Sequence, residues 1–284
     1  MAGAGLIEIK RRIKSVQNTK KITKAMGLVA TSKLRRVRME LNENNKFFEA
    51  TESIAKDAYS SIDVIKDGIY FTGSHSKRKL YIVIASDSGL CGGYNVNVAL
   101  SLKEHVGLDK SDSLVMCIGK KCSSYMTRYG FNTVAEYVDI KETADVREVM
   151  TIYNHALRLY RSNEVGEINV VYTHFNSPVS QVVKIDRMLP LKFDDVKEES
   201  GFIIEPNGES AVEATFDFYL QSKLVNCILN AKTSEESSRM TAMDGATKNA
   251  DDLLDSLNTK YNRIRQSAIT QEIAEIVGGA AAQK

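Results

Sequence analysis

Proline is scarce in this sequence. Pro178, Pro190 and Pro206 are the only three in 284 residues, and residues 1–177 and 207–284 have none. Helices can therefore run long at both ends. No apolar run approaches the ~18–20 residues of a membrane span. The N-terminus lacks the apolar core of a secretory signal and the composition of a transit peptide. Cys91, Cys117, Cys122 and Cys227 form no C-x-x-C pair, which suits buried thiols in a reducing compartment. His75, His105, His155 and His174 have no metal-ligand spacing, and no G-x-S-x-G occurs. These absences leave no catalytic residue, no metal site and no cofactor site to be expected.

What is present is an uneven charge. The chain is near neutral at +2, yet residues 1–40 hold eleven Lys and Arg against Glu8 and Glu40. Residues 191–217 hold eight Asp and Glu against Lys192 and Lys197. Such asymmetry suggests separate surfaces for separate partners.

Both ends carry helical stripes. Leu6, Ile9, Ile13 and Val16 are spaced by three and four, and the pattern resumes at Met26, Ala30, Leu34, Val37 and Leu41. Near the C-terminus, Glu236, Met240, Met243, Thr247, Ala250, Leu254, Leu257, Tyr261, Ile264 and Ala268 alternate steps of four and three. Ser210 and Glu213 fit a capping box at the start of that segment. At ~1.5 Å per residue it would form a rod on the order of 100 Å, far longer than one small domain can bury. Its natural partner is the N-terminal helix, giving an antiparallel coiled coil.

Between them the pattern changes. Apolar runs at 80–85, 113–118, 133–138 and 168–172 read as strands, separated by helix-like stretches at 95–107, 120–129 and 144–162. Residues 175–181 read as a turn and 182–189 as an antiparallel edge strand. Residues 66–77 read as a linker. The expected architecture is an α/β insert, Rossmann-like with a mostly parallel sheet, between two long terminal helices. Its boundaries are 1–65 plus 208–284 for the coiled coil, 78–192 for the insert, and 193–207 for a connecting strand.

Ser86–Asn95, SDSGLCGGYN, follows the first strand as a nucleotide-binding turn would. It lacks the G-x-G-x-x-G spacing of a dinucleotide turn, and no Lys follows Gly93 as a phosphate loop requires. A tight strand-to-helix turn is the favoured reading. Asp87 with Cys91 could form a reactive pair, but a buried structural cysteine suits the pattern better. The basic N-terminal helix suits an acidic protein partner, a solvated face or nucleic acid; interleaved aromatics are missing until Phe47. Ile269, Ile273, Ile276 and Val277 leave the heptad register, which suggests an apolar tip inserted into another protein.

Residues 1–36, MAGAGLIEIKRRIKSVQNTKKITKAMGLVATSKLRR, resemble the N-terminus of the gamma subunit of F-type ATP synthases. Residues 262–282, NRIRQSAITQEIAEIVGGAAA, resemble its C-terminus, and SDSGLCGGYN is similar to its central turn. The resemblance implies a rotor shaft within three alpha and three beta subunits, with epsilon and the c-subunit ring at its foot. Nucleic acid is not an implied partner, and the chain itself would do no chemistry. It also implies a peripheral position on the cytoplasmic side of a bacterial cell membrane, or alternatively the matrix side of the mitochondrial inner membrane.

The implied roles attach to particular residues. Arg265, Gln266, Thr270 and Glu272 match a contact with a catch loop of beta; Met26, Lys20, Lys21 and Lys24 match a contact with its acidic lever. Ile269, Ile273, Ile276 and Val277 would form the tip in an apolar bearing. Phe202, Ile204 and Glu205 match the foot facing the c ring. The chain departs from the family pattern at Ser88, where Arg is frequent, at Gly27, and at Ile204, where an aromatic is frequent. Two other readings remain open: a nucleotide-binding α/β enzyme with coiled-coil arms, and a basic scaffold for nucleic acid.

Overall fold

The computed structural model describes residues 2–60, 68–73, 75–141, 145–193 and 208–282. Helix α1 spans Ala2–Ser60 and α2 spans Ile69–Thr72. Then follow β1 (Lys79–Ile84), α3 (Tyr94–Val106), β2 (Ser113–Ile118), α4 (Lys120–Arg128), β3 (Asn132–Tyr137) and α5 (Val146–Arg161). The hairpin β4 (Glu167–Ser177) and β5 (Ser180–Leu189) leads to the last helix, α6 (Gly208–Ala282). The residues form two compact units, one of Met1–Ala30 with Met240–Lys284 and one of Thr31–Arg239.

In the larger unit the sheet order is β3-β2-β1-β4-β5. β1 pairs in parallel with β2 and β4, β2 with β3, and only β5 is antiparallel. The central strands are buried on both faces, which explains their unbroken apolar runs. Strand alternation sorts the side chains. Leu80, Ile82, Ile84, Leu114, Met116 and Ile118 face a core shared with α5 and with parts of α1 and α6. Tyr81, Val83, Ala85, Val115 and Cys117 face the opposite core, closed by α3 and α4. Within this unit α1 and α6 run antiparallel: Thr51 donates to Ser222 at 3.2 Å, while Asn44 and Asn45, earlier on α1, accept from Asn226, later on α6.

In the smaller unit the same direction holds. Lys20 pairs with Asp251, Thr23 bonds to Thr247 at 2.8 Å, and Gly27 faces Met243. Met243, Ala250 and Leu257 are buried at heptad spacing, as the stripe requires.

Three local expectations need correction. Residues 66–77 are not a plain linker: α2 buries Tyr70, whose hydroxyl donates to Asp217 at 2.8 Å, and Phe71 packs edge-on against Phe216. The turn expected at 175–181 is shorter. β4 continues to Ser177 because β5 supplies a ladder partner, and Gln181 donates to the Ser177 and Pro178 carbonyls. α6 begins at Gly208, so Ser210 lies inside the helix rather than at its cap.

Candidate functional site

The turn after β1 is held by its own side chains. Asn95, on the first turn of α3, accepts from the Ser86 amide at 3.0 Å and donates to Ser86 Oγ at 2.7 Å and Cys91 Sγ at 3.2 Å. Ser86 Oγ donates in turn to the Ser88 carbonyl at 2.6 Å. Asp87 Oδ1 accepts the amides of Lys120 and Asp139, each at 3.1 Å, tying the turn to the ends of β2 and β3. Leu90 and Gly92 both take positive φ, the tight geometry expected of G-L-C-G-G. Burial pushes the Cys91 thiol up, so it is a packed thiol rather than an activated one.

In an open α/β sheet a ligand sits beyond the strand ends, where the strand order switches. Here that point lies between β1 and β4, and α6 occupies it. Tyr94 donates to the Ala231 carbonyl at 3.1 Å, Ser234 donates to the Thr173 carbonyl at 3.0 Å, and Asn230 accepts the Phe175 amide at 3.2 Å. The crevice a nucleotide would need is filled by the chain's own helix. Among the described residues no three His, Cys, Asp or Glu side chains converge to hold a metal.

The same stretch of α6 carries a buried ion cluster that sequence reading missed. Lys232, Glu235, Glu236 and Arg239 are each at most 7% exposed. Arg239 donates to Glu236 Oε1 at 2.5 Å, to Glu235 Oε1 at 2.6 Å and to Ser88 Oγ at 2.9 Å. Burial opposes the Arg239 charge, but the two carboxylates outweigh it and hold the guanidinium above its ordinary value. Burial pushes the Glu236 carboxyl up, although Arg239 partly offsets this. A polar KTSEESSR run reads as a solvated helix face; contacts far away in sequence bury it, Arg239 against Ser88 of the β1 turn and Ser234 and Ser237 against the Thr173 and Pro178 carbonyls of the β4–β5 hairpin.

The expected contact residues fall on the helix ends. Arg265, Gln266, Thr270 and Glu272 are exposed on α6. Ile269, Ile273, Ile276 and Val277 are also exposed, between 48% and 71%, while Leu254, Tyr261, Ile264 and Ala268 on the heptad stripe are half-buried. On α1, Lys21 and Lys24 are exposed and Met26 is half-buried, whereas Lys20 is engaged with Asp251. Ile7, Ile22, Leu28 and Val29 add exposed apolar surface that no motif had singled out. Phe202, Ile204 and Glu205 lie outside the described residues.

Residues 5–283 match the family model described as ATP synthase. Over the full length of both chains, this one is 54% identical to a protein of Clostridium botulinum and 51% identical to one of Clostridium novyi, each named ATP synthase gamma chain. The chain belongs to the ATP synthase gamma-chain family. Among solved structures, a central stalk and c-ring assembly of the Tetrahymena thermophila mitochondrial ATP synthase contains a chain 26% identical, with a TM-score of 0.65 over 79% of this chain and 99% of that one. The Euglena gracilis mitochondrial rotor supports the fold, with a TM-score of 0.73 at 18% identity over 94% of this chain and 99% of that one.

Two departures from the gamma-chain pattern now have surroundings. Ser88 receives a bond from Arg239 instead of presenting a guanidinium of its own. A Cβ added at Gly27 would meet Met243 at 3.5 Å, an ordinary contact, so packing does not demand glycine there.

Proposed function

We infer that this chain is the central-stalk rotor subunit of an F-type ATP synthase. Its terminal helices form the shaft, residues 1–65 with 208–284; residues 78–192 form the α/β domain, and 193–207 the foot strand. The carrying observation is the full-length match to gamma chains, joined to an exposed apolar run at 269–277 that the heptad register leaves unpacked. The partners are three alpha and three beta subunits around the shaft, epsilon, and the c ring.

The mechanism follows from asymmetry. A shaft with different side chains around its circumference offers each beta subunit a different contact at each angle. Each angle therefore favours a different beta conformation, and ion-driven rotation of the c ring becomes a sequence of nucleotide affinities at the beta sites. The chain contributes contacts and no chemistry, as a subunit of an enzyme complex. Arg265 and Gln266 offer directed N–H donors to a loop of beta, and Thr270 and Glu272 extend that zone. Lys20, Lys21 and Lys24 bring positive charge to an acidic segment of beta beside Met26. Ile269, Ile273, Ile276 and Val277 turn within an apolar bearing, where a non-directional contact permits rotation. Phe202, Ile204 and Glu205 meet the c ring.

Bacterial relatives support a peripheral position on the cytoplasmic side of the cell membrane. No helix among the described residues is long and apolar enough to cross a membrane. The test is a pull-down of this chain from its native membrane with the partners identified by mass. Recovery of alpha, beta, epsilon and c subunits supports the reading; recovery of the chain without alpha and beta overturns it.

A further inference from the structure

In the unit of Met1–Ala30 with Met240–Lys284, each helix carries one glycine away from its ends, Gly27 on α1 and Gly245 on α6. The antiparallel pairing brings the two to nearly the same level. Thr23 bonds to Thr247 and Gly27 faces Met243, so Gly245, midway between Met243 and Thr247, lies opposite the turn from Thr23 to Gly27. Neither position requires glycine. Both continue regular helix without positive φ. A Cβ added at Gly27 would make an ordinary contact with Met243, and one added at Gly245 would meet nothing within 4 Å. Glycine regains more backbone freedom than any other residue when a helix opens, so each glycine weakens its helix at this level.

Two further features weaken the same level. Thr247 donates to the Met243 carbonyl at 2.7 Å, spanning Gly245, and Thr23 Oγ1 lies 3.1 Å from the Lys20 carbonyl. A hydroxyl that bonds to a carbonyl of the preceding turn competes with the helical amide for it and favours bending. Burial is also sparse. No α1 residue between Ile9 and Ala30 is fully buried, and Met243 is the only buried residue of α6 between Met240 and Asn249. Few buried apolar contacts mark a stretch that opens locally at low cost.

We propose that Gly27 and Gly245 form a joint, a stretch of about two turns at which both helices open locally and together. The Thr23–Thr247 bond of 2.8 Å and the packing of Met243 against Gly27 link the two sides, so opening one exposes the other. The exposed Lys21 and Ile22 precede Gly27 on α1, and the exposed Leu28 and Val29 follow it. Opening at the joint therefore re-aims a charged surface relative to an apolar one on the same helix. The proposal goes beyond the rotor reading and needs no part of it.

The test is amide hydrogen exchange of the full chain, followed by mass spectrometry, for the parent, Gly27→Ala, Gly245→Ala and the double variant. Gly27→Ala should slow exchange about fivefold at residues 23–30 and, across the seam, at residues 241–249 of α6. Gly245→Ala should do the same in reverse, and the double variant should slow both segments about 25-fold. Exchange at residues 9–16 should stay unchanged. A simple gain in helix propensity would act only on the substituted helix, so the effect on the other helix is the deciding readout. Gly245→Ala, whose added Cβ meets nothing, keeps the test decisive if Gly27→Ala disturbs Met243. No slowing, slowing confined to the substituted helix, or slowing of equal size at residues 9–16 would overturn the proposal.

Discussion

Arg239→Met should strand two buried glutamates, and the consequence can be worked out. Arg239 is 7% exposed and makes charged hydrogen bonds of 2.5 and 2.6 Å to Glu236 and Glu235. Methionine keeps much of the aliphatic volume and removes the charge. Breaking a buried pair by deleting one partner costs ~3–5 kcal/mol. With two carboxylates left behind, the upper part of that range applies, a large share of a total near ~5–15 kcal/mol. The loss must depend on pH. Without the guanidinium, the Glu236 carboxyl, already pushed up by burial, rises further above the unfolded ~4.3. The folded state then binds more protons than the unfolded one, so stability falls as pH rises through the folded value and is recovered toward the unfolded value. Urea unfolding followed by circular dichroism should give the full deficit near pH ~8 and a much smaller one near pH ~4.5. Adding Glu235→Gln and Glu236→Gln to the Met background should restore most of it. A deficit below ~1 kcal/mol at the higher pH, or one identical at both, would refute the reasoning.

Glu236→Gln alone keeps an acceptor for Arg239; because burial raises the Glu236 carboxyl, the variant should gain on the parent as pH rises above the ordinary carboxylate range, and a pH-independent difference in urea midpoint would contradict this. Gly119→Ala should cost ~2–4 kcal/mol in thermal or urea unfolding, because φ is +95° and an added Cβ would run into the Ala85 backbone; a loss below ~1 kcal/mol would be the wrong result. Asp217→Ala should cost ~2–3 kcal/mol by leaving the Tyr70 and Tyr153 hydroxyls, now bonded at 2.8 and 2.5 Å, without their acceptor; an unchanged urea midpoint would contradict it. Arg265→Ala, at an exposed position, should leave the chain folded yet reduce ATP-driven ion pumping by the assembled complex; unfolding of the isolated variant would count against the contact role.

The regular parts of the fold were legible because their periodicities are local. The four-and-three stripe from Met243 to Leu257 and the unbroken apolar runs of β1 and β2 arise from burying one face or two, and both can be read without knowing what lies opposite. Tyr70 was hidden because four helical residues in a polar-looking stretch show no period, and its partner Asp217 lies on a distant helix. The Lys232–Arg239 cluster was hidden for a related reason. Its ion pairs lie one helical turn apart, but polarity in sequence signals solvent, and the burial depends on tertiary contacts such as those of Arg239 with Ser88 and Ser234 with Thr173. Function was legible at the termini, where exposed residues that no internal packing explains formed long recognisable motifs.

The central claim is that this chain turns inside its complex. The complex of this chain with alpha and beta subunits would be fixed to a surface through beta, with a bead attached to this chain and ATP added. The account predicts unidirectional stepping of the bead with three-fold periodicity. ATP hydrolysis by the complex with the bead firmly attached and stationary would contradict it.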